Sequence, residues 1–331
     1  MDEYRTSRMQ KPLRKPRWLK RNLGASHDYE AVRSMIRDKG LHTVCQEARC
    51  PNLWHCFSKK TATFLIMGNR CTRSCRFCAI EHGPSKPPDR DEPARVAETV
   101  AAMGLHYVVI TSVTRDDLAD GGASCFAHTI NAIKDTVPHT KIEILIPDFQ
   151  GDIAALTTVL NAGPTVLNHN IETVPRLYHA VRPGADYERS LSIIEAAGRI
   201  SSGIPVKSGI MLGLGETSQE LLTTMKELYK AGCSILTLGQ YLQPTVRHLP
   251  VERYIPPDEF DDWGSKAMAI GFSAVASGPF VRSSFDAASL YRSAISALAR
   301  RHGEQRDPDS TPKFLHDAAS LQKSTRHQKN G

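Results

Sequence analysis

The chain alternates short runs of mainly apolar or β-branched residues with longer stretches in which apolar residues recur every three to four positions. The short runs lie at 63–67, 107–111, 141–146, 165–168, 205–211 and 235–239. Each is read as a continuous apolar or β-branched run, which suits a strand covered on both faces. The stretches 92–103, 123–136, 152–161, 187–201 and 218–231 carry helical spacing. Strand and helix in strict succession predict a parallel sheet with its helices outside. A further run at 272–276, after a helical stretch at 257–270, is a candidate seventh strand. Upstream, Tyr29, Val32, Met35 and Ile36 form one helical face over 28–39, which Gly40 closes. The expected fold class is α/β, a partial parallel (β/α)6 barrel over 61–285. Segments 1–60 and 286–331 extend it at either end.

Composition agrees with a folded body of that size, since an α/β barrel commonly occupies roughly 200–250 residues as one unit. Of 331 residues, 40% are hydrophobic and 23% charged, and no run approaches the roughly 18 apolar residues of a membrane span. A soluble protein without a membrane partner is expected. The formal charge of +7 owes much to Arg5, Arg8, Lys11, Arg14, Lys15, Arg17, Lys20 and Arg21. Such a basic arm is either a solvated segment laid over the barrel or a contact for an acidic partner. No apolar run follows it, as a secretory signal would require, and Asp2 and Glu3 speak against a transit peptide, so the cytoplasm is the expected compartment. From about residue 300 the sequence turns polar, and 286–331 reads as a helix followed by a disordered tail.

Cysteine placement is the strongest chemical signal. Six of eight cysteines fall between Cys45 and Cys78 in two triplets, too few and too clustered for a disulfide scaffold. Cys125 and Cys233 stand alone and read as small buried hydrophobes. Cys71, Cys75 and Cys78 directly follow the first barrel strand, and so lie at its C-terminal end, where barrels build their sites. A turn this tight can hold three corners of an iron–sulfur cubane and leave the fourth iron without a protein ligand. Zinc is the alternative, but a closed zinc site needs a fourth ligand, and His82 is the nearest. Cys45, Cys50 and Cys56 lie in a predicted loop with Glu47, Pro51 and Asn52, which offers little apolar periodicity to bury three core cysteines.

The C-x3-C-x2-C spacing with aromatic Phe77 before the last cysteine resembles the radical S-adenosylmethionine enzymes. With C-x4-C-x5-C shortly upstream, the chain resembles the lipoyl synthase family over about 17–288. Further matching stretches include Ala-Arg-Cys-Pro-Asn-Leu at 48–53, Arg-Asp-Asp-Leu-Ala-Asp-Gly-Gly at 115–122, Asn-His-Asn-Ile-Glu at 168–172, Leu-Gly-Gln-Tyr-Leu-Gln-Pro at 238–244 and Gly-Pro-Phe-Val-Arg-Ser-Ser at 278–284. The resemblance implies a barrel of the radical SAM type and two [4Fe–4S] clusters. On Cys71, Cys75 and Cys78, the open iron would chelate S-adenosylmethionine, whose reductive cleavage gives a 5′-deoxyadenosyl radical. An auxiliary cluster would sit on Cys45, Cys50 and Cys56, with a serine from the family's Arg-Ser-Ser-Tyr motif as fourth ligand. Here the motif ends in Phe285, and Ser284 is the expected ligand. By position alone Ser284 serves equally as N-cap of the helix expected after it.

The activity so implied is that of a sulfurtransferase: insertion of two sulfur atoms at carbons 6 and 8 of a protein-bound octanoyl-lysine, with the auxiliary cluster as donor. Implied partners are octanoylated carriers, namely the lipoyl domains of 2-oxoacid dehydrogenases and the glycine cleavage H protein, together with ferredoxin or flavodoxin as reductant and cluster-assembly proteins. No nucleic acid is implied. Two rivals make different demands. A radical enzyme that thiolates tRNA needs an RNA-binding module, which the short tail without alternating aromatics does not offer. A zinc-bound nucleic-acid-binding or scaffold protein needs zinc and a salt-dependent affinity.

Other residues attach to the same expectation. Gly213 and Gly215, after the fifth strand, permit close backbone approach and are expected near the cofactor. Asn170 and Glu172, after the fourth, are expected within reach of its ribose or amino group, with Phe77 beside them. Lys207 lies inside an apolar strand, where it needs a partner, an anionic ligand, or an outward-snorkelling path. Arg115, Asp116 and Asp117 form either a capped loop or a placement device. His55, His82 and His169 read as polar loop residues.

Overall fold

The computed structural model describes residues 13–20 and 27–301. Arg5, Arg8, Lys11 and Arg21 of the basic arm, and the polar tail after residue 301, lie outside the described residues. The strands are β1 (His42–Thr43), β2 (Thr63–Ile66), β3 (Arg70–Cys71), β4 (Glu81–His82), β5 (Tyr107–Ser112), β6 (Lys141–Leu145), β7 (Val166–Asn168), β8 (Val206–Leu212), β9 (Ile235–Gln240) and β10 (Ala274–Gly278). The helices are α1 (His27–Asp38), α2 (Val44–Glu47), α3 (Leu53–Ser58), α4 (Glu92–Ala102), α5 (Ala123–Thr136), α6 (Ile153–Asn161), α7 (Tyr178–Val181), α8 (Tyr187–Ile200), α9 (Ser218–Lys230), α10 (Pro257–Ile270) and α11 (Ala287–Arg301).

Eight strands form one sheet in the order β1-β2-β5-β6-β7-β8-β9-β10, and every neighbouring pair except β1–β2 is parallel. The six expected strands are there, and two more join them. β10 supplies a seventh parallel strand, two residues later than expected, because Phe272 enters the core and pairing with β9 starts at Ala274 opposite Ile235. β1 adds an antiparallel edge. No ladder among the described residues joins β10 to β1 or β2, so the barrel is a partial one, open along that side.

Burial explains why the apolar runs became strands. Phe64, Ile66, Ile110, Ile144, Leu167, Leu236 and Leu238 are each at most 1% exposed, each gaining roughly 1.5–3 kcal/mol from removal to the interior. The crossover helices present their apolar stripes to the sheet through Val96, Val100, Phe126, Ile130, Ile193 and Met225. Their first turns are tied by side chains: Asp152 accepts from Ala154 N–H, Asp186 from Arg189 N–H, and Thr217 with Glu220 forms a reciprocal capping box.

The last helix is not an appendage. Leu290, Tyr291 and Ala294 of α11 pack with Val166, Ile235 and Ala274, the first residues of β7, β9 and β10. α11 therefore covers the N-terminal end of the sheet. Deep in the interior, Lys207 Nζ lies 2.8 Å from Glu143 Oε1, both 1% exposed, and Tyr107 Oη donates to the other carboxylate oxygen at 2.7 Å.

Candidate active site: two cysteine triplets on one cavity

After β2 the chain enters the loop of the second triplet, which is fastened on several sides. β3 and β4 close it as a two-residue parallel ribbon. Arg76 N–H donates to Val181 O at 2.9 Å, Leu249 N–H to Arg76 O at 3.1 Å, and His248 Nε2 lies 2.9 Å from Cys78 O. Cys71 Sγ accepts from the N–H groups of Arg73 and Thr114 at 3.4 and 3.3 Å. Burial pushes the thiol of Cys75 up while Arg182 beside it pulls the other way, and burial pushes Cys78 up to about 12. Thiolates at such positions need adjoining positive charge, which metal supplies.

The anchor of this loop is Arg73. Its guanidinium donates four hydrogen bonds: Nε and Nη2 to Asp116 at 2.7 and 2.8 Å, Nη1 and Nη2 to Asp148 at 2.9 and 2.6 Å. Asp116 follows β5 and Asp148 follows β6, so one side chain ties the cysteine loop to two strand ends. Burial works against the charge on Arg73, but the two carboxylates more than offset it and raise its pKa. Asp148, fully buried, is held well below the usual carboxylate range by Arg73 despite its burial.

The first triplet sits on two short helices rather than in the expected loop. Cys45 lies in α2, which Thr43 caps by accepting from Gln46 N–H. Cys50 lies in the turn that follows, its N–H donating to Cys45 O at 3.1 Å, and Cys56 lies in α3. α3 is held against α1 by stacking of Trp54 on Tyr29, centroids 4.1 Å apart. Burial, with Cys50 and Cys56 adding to it, pushes the Cys45 thiol up to about 12. Asn52, between Cys50 and Cys56, donates to Phe280 O at 2.7 Å and so ties this triplet to the segment after β10.

All six cysteines line one cavity of about 1040 Å³, together with Ser283, Ser284, Asn170, Glu172 and Phe77. That is at the upper end of the roughly 300–1,000 Å³ of a single small-molecule site. Among the described residues no three cysteine, histidine or carboxylate side chains converge closely enough to share one metal ion. A single zinc, with ligands at about 2.0–2.3 Å, asks for such convergence. A cubane takes each thiolate on a separate iron, so three thiolates in one short segment are the donor set such a cluster would need.

Comparison with known proteins decides the family. The radical SAM superfamily pattern matches residues 65–228. Residues 1–50 match the N-terminal domain of lipoyl synthase of the radical SAM family. The chain is 57% identical to the lipoyl synthase of Desulfotalea psychrophila over 287 residues, covering 87% of this chain and 95% of that one. It is 54% identical to that of Chlorobium phaeovibrioides, over 84% of this chain and 98% of the relative, and 52% identical to an Escherichia coli lipoyl synthase, over 83% and 86%. The chain belongs to the lipoyl synthase family. It is a radical sulfurtransferase whose cofactors are two [4Fe–4S] clusters and S-adenosylmethionine. In fold alone it also resembles HydG, a maturase of the [FeFe]-hydrogenase, with a TM-score of 0.52 at 16% identity, covering 64% of this chain and 50% of that one.

For a lipoyl synthase, the remaining expected residues divide into those at the cavity and those away from it. Asn170 and Glu172 are at it, joined by Asn170 Nδ2 donating to Glu172 Oε1 at 3.1 Å. Glu172 adopts φ of 69° and bridges to Ile210, and burial raises its pKa against the pull of Arg182. Lys207 is away from it, spent on Glu143. Gly213 and Gly215 are also away: a Cβ on Gly213 would stand 2.3 Å from Arg253 O, so the close approach this glycine permits is by the chain's own 252–253 segment. Ser284 is not the helix cap, since α11 starts at Ala287 and the preceding position is Asp286. Its hydroxyl has no hydrogen-bond partner among the described residues. Phe285, where the family motif has tyrosine, packs on His55, centroids 5.9 Å apart. Arg115 pairs locally with Asp117, while Asp116 serves Arg73.

Three residues at this site were not read as site residues from sequence. Arg73 was hidden inside the cysteine loop, though a cation between two cysteines with aspartates at two later strand ends was a readable sign. Arg182 is buried over the Tyr178 ring and donates to Asn170 O at 3.1 Å. His169, read as a loop residue, is 1% exposed and lines the cavity. Its Nδ1 lies 2.9 Å from Ile146 O, so Nε2 is the bare acceptor, buried with no partner among the described residues.

Proposed function

We propose that this lipoyl synthase inserts sulfur at carbons 6 and 8 of an octanoyl chain carried on a protein lysine, with Cys71, Cys75 and Cys78 holding the cofactor-binding cluster. Cys45, Cys50, Cys56 and Ser284 hold the auxiliary one. The observation that carries this division of labour is that both triplets open on one cavity, so an acyl chain there lies between the two. When bound, the clusters and S-adenosylmethionine supply the radical that breaks an unactivated C–H bond and the sulfur that replaces the hydrogen.

The chain's own residues hold these groups in place. Arg73 and Asp116 fix the loop, and Arg182 sets a positive charge beside Cys75. Asn170, Glu172 and Phe77 position the cofactor. A hydroxyl is a harder ligand than a thiolate and a poorer match for iron in a sulfide cluster, so Ser284 is the corner most readily released. The apolar wall formed by Val109, Leu145, Ile146 and Ile210 suits an acyl chain and keeps water from the reacting carbons.

The carriers are lipoyl domains of 2-oxoacid dehydrogenases and the glycine cleavage H protein, the reductant a ferredoxin or flavodoxin, the auxiliary cluster is renewed by cluster-assembly proteins, and the compartment is the cytoplasm. Among the described residues no helix is long and apolar enough to cross a membrane. The three segments 1–60, 61–285 and 286–331 act as auxiliary-cluster arm, catalytic barrel and C-terminal helix with tail. Separate variants test the assignment. Cys56→Ala should keep about four irons and 5′-deoxyadenosine formation but transfer no sulfur, whereas Cys75→Ala should lose both activities. Sulfur transfer at the native rate by Cys56→Ala would overturn the assignment.

A further inference from the structure

Two hydrogen bonds cross the cavity in series. Ser283 Oγ donates to Asn170 Oδ1 at 2.8 Å, and Asn170 Nδ2 donates to Glu172 Oε1 at 3.1 Å. The serine stands on the segment after β10, one residue before Ser284, while Asn170 and Glu172 follow β7. A single amide thus joins the auxiliary side of the cavity to the cofactor side, its oxygen serving one and its nitrogen the other.

The packing is built to keep that contact. A Cβ on Gly209 would stand 2.9 Å from Asn170 Oδ1 and 3.1 Å from Ser283 Oγ, so β8 carries glycine where the two side chains meet. A Cβ on Gly239 would stand 2.2 Å from Val281 O, so β9 likewise yields to the serine segment. At its other end the segment is held by Asn52 Nδ2 on Phe280 O, from between Cys50 and Cys56. The residues around Ser284 therefore have two tethers, one to the first triplet and one to Asn170.

We infer that Ser283 is a positioning residue which, through Asn170 and Glu172, couples occupation of the cofactor site to the placement of Ser284 at the auxiliary cluster. The inference rests on the site assignment proposed above. A cofactor that draws Glu172 or the Asn170 amide toward itself changes the geometry offered to Ser283 Oγ, and the serine segment shifts or stiffens in response. Sulfur release is then favoured when the radical source is in place. The coupling costs no new contact, only a redistribution of hydrogen bonds already made.

The test uses the cluster-loaded full chain. Amide exchange of 280–286 is followed in the oxidised protein with and without S-adenosylmethionine, where no turnover occurs, in native protein, Ser283→Ala and Ser283→Thr. Cofactor should alter exchange in native protein and Ser283→Thr but not in Ser283→Ala. Under turnover, Ser283→Ala should form 5′-deoxyadenosine at the native rate, while lipoyl product per 5′-deoxyadenosine falls about five-fold, the equivalent of one hydrogen bond of about 1 kcal/mol. Should Ser283→Ala lose auxiliary iron, recovery of iron and of the exchange response in Ser283→Thr supports the coupling, and failure to recover either overturns it. An exchange response and product ratio in Ser283→Ala equal to native also overturn it. Native protein that makes no lipoyl product would sink the functional reading itself, a result distinct from both.

Discussion

Replacing Arg73 with methionine keeps the bulk of the side chain and removes four charge-assisted hydrogen bonds at once. The cost follows from what is left behind. Asp148 is 0% exposed, and breaking a buried ion pair by deleting one partner typically costs about 3–5 kcal/mol. Here the lower end applies, because Asp148 keeps Arg189 Nε at 3.0 Å and Gln150 N–H at 3.1 Å. Asp116, 28% exposed, keeps Thr72 Oγ1 at 3.3 Å. A loss of about 3 kcal/mol corresponds to a fall in melting temperature of roughly 4 °C for a chain of this length. Adding Asp148→Asn to Arg73→Met removes the stranded charge, so the double variant should recover at least about 1 kcal/mol. The assay is thermal unfolding of the cluster-loaded protein under anaerobic conditions, with 5′-deoxyadenosine formation measured beside it. Arg73→Lys, which keeps the charge but cannot fork to both aspartates, should be intermediate. Arg73→Met that melts within about 1 °C of native and forms 5′-deoxyadenosine at the native rate would refute the reasoning.

Two further outcomes follow from the local physics. Burial, with Arg182 adding to it, holds the His169 pKa down to about 4 from 6.5, so between those values the unfolded chain binds a proton that the folded one does not. Stability is therefore lost as pH falls through that window, by about 1.3 kcal/mol between pH 7.5 and 5.5, and His169→Gln should flatten that part of the pH–stability curve. At the start of α9, Thr217→Ala removes the hydroxyl that accepts from Glu220 N–H and leaves the other half of the capping box, the backbone N–H at 217 on the Glu220 carboxylate, so urea unfolding should show a loss of about 1 kcal/mol with the denaturant slope unchanged.

The barrel strands could be read from the sequence because each is covered on both faces, and a continuous apolar run has few other uses. β10 was placed two residues early because Phe272 is as apolar as a strand residue, yet it is buried ahead of the strand against Tyr229 of α9, ring centroids 5.6 Å apart. α2 and α3 escaped because four and six residues are too short for periodicity to show, and capping by Thr43 and stacking on Tyr29 hold them instead. α11 was visible as a helix, but its place beneath the sheet depends on Val166, Ile235 and Ala274, which are far apart in sequence.

At the site, the two cysteine triplets stood out by their spacing, and the fold brings all six to one cavity. Lys207 was expected near the cofactor, with an ion-pair partner or an outward path left open; its partner, Glu143, sits 64 residues upstream and nothing local marks it. Gly213 was expected to allow close approach of the cofactor, whereas in the fold it is Arg253 O that comes close to it. Ser283 and Ser284 are indistinguishable by composition. Their difference lies in the partner that reaches one of them, Asn170, 113 residues away.

The most direct measurement of the central claim is an anaerobic reconstitution of the native chain with iron and sulfide, followed by a single turnover with dithionite, S-adenosylmethionine and an octanoyl-lysine peptide, before any sulfide is resupplied. About eight irons per chain are expected, with the peptide gaining two sulfur atoms that carry the isotope label placed in the clusters. A fully loaded protein that cleaves the cofactor and leaves the peptide without sulfur, or a labelled cluster that yields unlabelled product, would contradict it.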